Sequence, residues 1–273
     1  MSRIQTTFEQ LKSSNRTALI PYITVGDPSL ESTLLIMHAL ADAGCDVIEL
    51  GVPFSDPSAD GPVIQAASER ALKNSTSLKN VLSVVSSFRQ NNQTTPIVLM
   101  GYLNPFEIYG YQAFVKDASA AGIDGVLIVD MPPEESDPFS GLLKAKNIDL
   151  IYLIAPTTTK KRAKMICDQA SGYIYYVSLK GVTGAGNLDI SEVASKVSDI
   201  KNITELPVGV GFGIKDADSA KNVGAVSDGV VIGSALVNLI YQTSQKSDNP
   251  EDIRRAVSEY IVTIREALDS LIE

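Results

Sequence analysis

Residues 18–25 read ALIPYITV, and runs of the same kind recur along the chain: DVIELGV (46–52), PIVLMGYL (96–103), GVLIVDM (125–131), DLIYLIA (149–155), YIYYVSL (173–179), PVGVGF (207–212) and GVVIG (229–233). Near-continuous apolar strands are what a sheet buried on both faces requires, and such sheets are parallel. Between them, helical spacing appears at 32–43, 62–72, 106–121, 160–170 and 216–223. The runs start at about 18, 46, 96, 125, 149, 173, 207 and 229, and most intervals are 22–34 residues, the length of one βα unit. The exception, 46 to 96, has room for a second helix over 78–88. Eight such units in roughly 250 residues predict a closed (β/α)8 TIM barrel, an α/β fold. The alternative is a doubly wound open sheet, which would leave two edges on eight parallel strands. No GxGxxG follows the first run, which removes the usual dinucleotide reading.

No Ser/Gly linker or low-complexity tract divides the chain, so one domain spanning 1–273 is expected. The polar stretch TSQKSDNPED (243–252) reads as a connection to the last helix, capped by Asn249 or Asp248 and opened by Pro250. Residues 4–11 predict an extra N-terminal helix that plugs the barrel bottom. Gly233-Ser234-Ala235 opens a short extra helix after the eighth strand.

Composition narrows the chemistry. With 23 Lys plus Arg against 32 Asp plus Glu the net charge is −9, which disfavours a non-specific nucleic-acid or anionic-membrane surface. Two cysteines, Cys45 and Cys167, build neither a disulfide scaffold nor a four-thiolate zinc site, and the lone His38 cannot supply the imidazoles of most catalytic zinc centres. Metal hydrolysis and Ser-His-Asp chemistry are therefore poor fits. The start, MSRIQTTFEQLKSSNR, lacks the apolar core of a signal peptide, and no window approaches 18 consecutive apolar residues. A cytoplasmic protein is expected.

Functional groups of such barrels gather at the C-terminal ends of the strands. The second run leads into ELGVPFSDPSADGP (49–62), which carries Glu49 inside an apolar strand. A carboxylate there is expensive to bury unless it is used or paired. It is either functional or in a salt bridge with a neighbouring strand. Glycines crowd three later strand ends: GVTGAG (181–186), GVGFG (209–213) and Gly233-Ser234. Glycine lets backbone N–H groups approach an anion, and a helix N-terminus adds its dipole. Three such loops at adjacent positions favour a phosphate-bearing substrate. Other strand-end residues, Tyr22, Met100, Leu127, Val129, Leu153, Tyr175 and Phe212, are apolar or aromatic, which fits a flat hydrophobic substrate end.

These blocks carry a resemblance. PYITVGDP (21–28), ELGVPFSDPSADGP (49–62), GYLNP (101–105), YYVS (175–178) with GVTGA (181–185), GFGI (211–214) and GSA (233–235) closely resemble the α subunits of tryptophan synthase over essentially the full length. The resemblance implies retro-aldol cleavage of indole-3-glycerol phosphate to indole and glyceraldehyde 3-phosphate, with Glu49 and Asp60 at the catalytic positions. Cleavage needs a proton delivered to indole C3, a proton taken from the glycerol 3′-hydroxyl, and stabilisation of positive charge at N1–H. A carboxyl with a raised pKa suits the first two tasks and an ionised carboxylate the third.

By the same resemblance, Thr183, Gly184, Gly213, Gly233 and Ser234 belong to the phosphate and closure region, and Tyr22, Met100, Leu127, Tyr175 and Phe212 to the substrate pocket. The loops at 53–60 and 179–189 are the implied gating segments. Tyr22 stands where the family often has phenylalanine, and Met100 where leucine is common. No cofactor is implied for this chain. Pyridoxal phosphate belongs to a partner β subunit, which takes indole through a tunnel within an α2β2 tetramer. Pro53, Asp56, Asn104 and Pro132 are the implied partner contacts, although Asn104-Pro105 and Pro132-Pro133 also read as loop punctuation. A metal-dependent aldolase would need clustered His, and a Schiff-base aldolase a strand-borne Lys. The nearest candidate, Lys180, begins a Gly-containing loop. A free-standing lyase and a weak paralogue that chiefly activates a partner are the other readings. Retention of Glu49 and Asp60 speaks against the paralogue.

Overall fold

The computed structural model describes residues 2–178, 189–211, 213–247 and 249–272. Its strands are β1 (Ala18–Thr24), β2 (Ile48–Gly51), β3 (Ile97–Gly101), β4 (Gly125–Ile128), β5 (Asp149–Ile154), β6 (Ile174–Val177), β7 (Val208–Gly211) and β8 (Gly229–Ile232). Each pairs in parallel with the next, and β8 pairs with β1 through Leu19 opposite Val230. That last pairing closes the barrel and disposes of the open sheet, because none of these eight strands keeps an unpaired edge. The strands are shorter than the apolar runs. The strands end at Gly51, Gly101 and Ile128 and each run continues into the mouth, with Val52, Tyr102 and Met131 still buried.

The two-sided apolarity of the runs follows from where each side chain goes. Leu19, Ile48, Leu50, Ile97 and Leu99 pack outward in the core shared with the helices. Ile20, Val98, Leu127, Ile151 and Val231 pack inward. The interior is closed below by α1 (Arg3–Ser13), the expected plug, whose Ile4, Phe8 and Leu11 join the inward cluster.

The remaining helices are α2 (Leu30–Asp42), α3 (Pro62–Lys73), α4 (Leu78–Arg89), α5 (Leu103–Tyr109), α6 (Tyr111–Ala121), α7 (Phe139–Lys144), α8 (Lys160–Gln169), α9 (Ile190–Lys201), α10 (Ala217–Gly224), α11 (Ser234–Ser244) and α12 (Pro250–Asp269). The additional helix expected between the second and third strands is α4. The single helix expected over 106–121 is two, broken at Gly110, whose φ of 86° lies in the region that ends helices. The first piece starts early because the Leu103 N–H donates to Asp130 Oδ1 at 2.7 Å. Asn249 caps α12, accepting from the Glu251 N–H, while Asp248 lies outside the described residues.

Candidate active site

Barrel register sets Glu49 level with Tyr22 on β1 and Val98 on β3. Val98 belongs to the inward cluster, so Glu49 also faces the interior. It is fully buried. Its Oε1 accepts a hydrogen bond from the Tyr173 hydroxyl, and its buried Oε2 has no partner among the described residues. No ion pair to Glu49 exists among the described residues, so the salt-bridge reading loses its support. Loss of water pushes the carboxyl from its ordinary 4.5 up to about 7, against the Tyr173 hydrogen bond, which pulls it down. Tyr173 is itself held from below, its ring 5.7 Å from that of Phe8 on α1.

Asp60 reaches the mouth on the loop between β2 and α3. The Tyr102 hydroxyl donates to its Oδ2 at 3.1 Å and accepts from the Ala59 N–H at 2.9 Å. Phe54 stacks on the Tyr102 ring at 5.3 Å, and Gln65 Nε2 donates to the Asp60 carbonyl at 2.8 Å. The loop is thus tied to Tyr102, just after β3, and to α3. Burial raises the Asp60 carboxyl above the ordinary Asp value, and the Tyr102 hydrogen bond offsets part of that rise.

A cleft of about 90 Å³ opens at this end of the barrel. From the β1–β3 side it is lined by Tyr22, Asp60 and Met100, with Ile64 of α3; from the β6–β8 side by Tyr175, Gly213, Gly233 and Ser234. A much smaller space shares Tyr22, Asp60 and Met100 and continues to Phe54, Tyr102 and Val129. Ser234 is the first residue of α11 and Gly233 its N-cap, so the start of a helix, whose first N–H groups have no intrahelical partner, lies at the cleft. No Lys or Arg lines the cleft among the described residues. Glu49 is absent from its wall and lies within the interior. Leu127, expected at the pocket, is instead fully buried in the inward cluster against which Met100 packs. Thr183, Gly184 and Phe212, and the segment 179–188, lie outside the described residues.

Two glycines make room for the pocket tyrosines. A Cβ on Gly51 would stand 2.0 Å from the Tyr22 hydroxyl oxygen, and one on Gly211 would stand 2.1 Å from that of Tyr175. Of the four residues expected to meet a partner, Asp56 and Asn104 are exposed, Pro132 is half-buried and Pro53 is buried within the chain. They follow β2, β3 and β4, three neighbouring strands, and so share one side of the mouth. Asn104 has Ile108 one turn on, and Ile108 is 79% exposed.

Sequence reasoning missed Tyr173 and Tyr102, the phenols that hold the two carboxylates. Tyr102 lay within the GYLNP block and could have been found as a polar tip at a strand end. Tyr173 had no such signal, because it reads as an aromatic opening an apolar strand.

A family model described as tryptophan synthase alpha chain matches residues 8–268. The tryptophan synthase alpha chain of Marinobacter nauticus is 55% identical over 271 residues, covering 99% of both chains. That of Burkholderia multivorans is 57% identical, over 98% of this chain and 97% of its own. Among solved structures, tryptophan synthase subunit alpha from Legionella pneumophila superposes with a TM-score of 0.91 at 43% identity, covering 99% of both chains. A Mycobacterium tuberculosis tryptophan synthase chain superposes with a TM-score of 0.86 at 32% identity over 98% of both. With its barrel closed and its carboxylates set at the mouth and beneath it, the chain belongs to the tryptophan synthase alpha chain family.

Proposed function

We propose that Glu49 and Asp60 carry the reaction of this family, cleavage of indole-3-glycerol phosphate to indole and glyceraldehyde 3-phosphate. The observation that supports these roles is the contrast between the two carboxyls. Glu49, drawn up to about 7 by burial, is poised to give and take a proton near neutrality. Asp60, half-buried and open to the cleft, is placed to accept from the indole N1–H and to stabilise the cation that forms. Glu49 delivers its proton to indole C3, the electron pair of the breaking carbon–carbon bond goes to the indole, and Glu49 recovers a proton from the glycerol 3′-hydroxyl. Because Glu49 points to Tyr173 and not into the cleft, it has to leave that phenol and turn toward the mouth before transfer.

The substrate lies with its indole against Tyr22, Met100 and Asp60 and its phosphate at Gly213, Gly233 and Ser234. The helix end and backbone N–H groups do the work a basic side chain would do elsewhere. The indole end is then nearest the β2–β4 side of the mouth, where Asp56, Asn104, Pro132 and the exposed Ile108 offer a docking surface. We assign that surface to a β subunit that binds pyridoxal phosphate and receives the indole, in an α2β2 assembly located in the cytoplasm. Residues 1–273 fold as one domain around the site. The test is indole release from indole-3-glycerol phosphate by the purified chain, with no metal or cofactor added, alone and with a β subunit. Indole in either arm, with a large gain in the second, is expected; none in both would overturn the assignment.

A further inference from the structure

Beside the cleft, one side chain joins the elements that carry Asp60 and Ser234. Arg70 of α3 donates from Nε to Asp27 Oδ1 at 2.8 Å and from Nη2 to Asp27 Oδ2 at 2.7 Å, a two-pronged pair with a carboxylate that is almost wholly buried. The guanidinium also lies 4.1 Å from the centre of the Tyr241 ring on α11. At the C-cap of α3, Asn74 Nδ2 donates to the carbonyls of Gly26 at 3.1 Å and Pro28 at 2.7 Å. The loop leaving β1, the helix after Asp60 and the helix that begins at Ser234 are therefore tied together at one point.

Gly61, the N-cap of α3, and Ser234, the first residue of α11, both line the cleft. Arg70 lies about 12 Å down α3 from Pro62, and Tyr241 about 10 Å down α11 from Ser234, at 1.5 Å per residue. Between this point and the cleft, Tyr22 packs with Ile64 and Ala67 of α3 and Val237 of α11. Only the planar fork of an arginine grips a carboxylate with two N–H groups while offering a face to a ring; a lysine does one or the other.

We propose that Arg70 is a positioning residue that sets the span between the Asp60 end and the Gly233–Ser234 end of the site. The proposal rests on the reading of those ends given above. It makes the chain selective for ligands whose aromatic and phosphate parts are a fixed distance apart, without Arg70 touching either.

Binding of three probes to the full chain tests it: indole, inorganic phosphate, and an indole joined by a three-carbon chain to a phosphate. Arg70→Lys keeps a cation beside Asp27 and removes the fork. It is expected to weaken the linked probe roughly ten- to a hundredfold, as a displacement of about 1 Å would, while indole and phosphate alone bind as they do to the parent. Tyr241→Leu, which leaves the ion pair in place, is expected to give the same pattern at smaller size and covers the case in which Arg70→Lys fails to fold. With indole-3-glycerol phosphate, KM rises and kcat falls in both variants. Unchanged binding of the linked probe, or equal weakening of all three, would overturn the proposal. Should the parent chain bind the linked probe no more tightly than its fragments, the reading of the two ends fails first, and the span proposal with it.

Discussion

Glu49 illustrates how much one buried group can decide. A carboxyl moved from 4.5 to about 7 makes the fold prefer its protonated form, and the sign of the consequence follows. Below pH 4.5 the group is neutral whether the chain is folded or not, and it neither helps nor harms. Between 4.5 and 7 the unfolded chain has lost a proton that the folded chain keeps, so stability falls as pH rises. Above 7 the deficit has reached its full size, about 3 kcal/mol at 1.36 kcal/mol per unit. Glu49→Gln cannot ionise and does not suffer this loss. The substitution is expected to abolish nearly all indole formation, because an amide cannot donate the proton, while raising stability relative to the parent progressively from pH 5 to about pH 7, with no further change above that. Denaturant titrations at three pH values alongside an indole assay check both parts. Substantial residual turnover would sink the acid/base role, and a stability difference flat in pH would sink the raised pKa.

Among the strands, space is as specific as charge. Gly51 on β2 has room for no Cβ, because the Tyr22 hydroxyl and ring occupy that place at 2.0 and 2.6 Å. Gly51→Ala must push the ring away, toward the cleft it lines, at a cost of about 1–3 kcal/mol in stability and with weaker binding of an indole ligand. Gly141, in α7 and with nothing within 4 Å of its missing Cβ, is the contrast: alanine there should gain about 0.5–1 kcal/mol and leave ligand binding alone. Thermal melts and indole titration of the two variants distinguish a steric role from a generic glycine effect. Such fits were out of reach of the sequence, in which Gly51 is one letter in ELGVP. The βα spacing, the strand count and the plug were legible, since periodicity and burial write them directly into composition. So was Glu49, because a lone carboxylate in an apolar run is conspicuous. Tyr173 was not, since the bond that matters runs to a residue 124 positions away and exists only once the barrel closes. The division of 106–121 at Gly110 was equally hidden, because the apolar spacing continues across a break that the backbone angle alone imposes.

For the molecule as a whole, the acidic balance poses the question of how an anion is attracted. A chain of net charge −9 repels a phosphorylated substrate at long range, and the described wall of the cleft offers no Lys or Arg to reverse that locally. Backbone N–H groups and the start of α11 act over a few ångströms only, so they hold the phosphate without drawing it in. Salt separates these two contributions. At 0.01 M ionic strength the screening length is about 30 Å, and at 0.15 M about 8 Å, so added salt removes most of the long-range repulsion and little of the short-range hold. The KM for indole-3-glycerol phosphate should therefore stay level or fall between these two conditions, measured in sodium chloride to avoid competing phosphate or sulfate. A basic site would behave in the opposite sense, since screening weakens attraction. A KM that climbs severalfold with salt would show that a cationic side chain grips the phosphate. The backbone-held site would then be wrong, and Lys180, which lies outside the described residues, would be the first residue to replace.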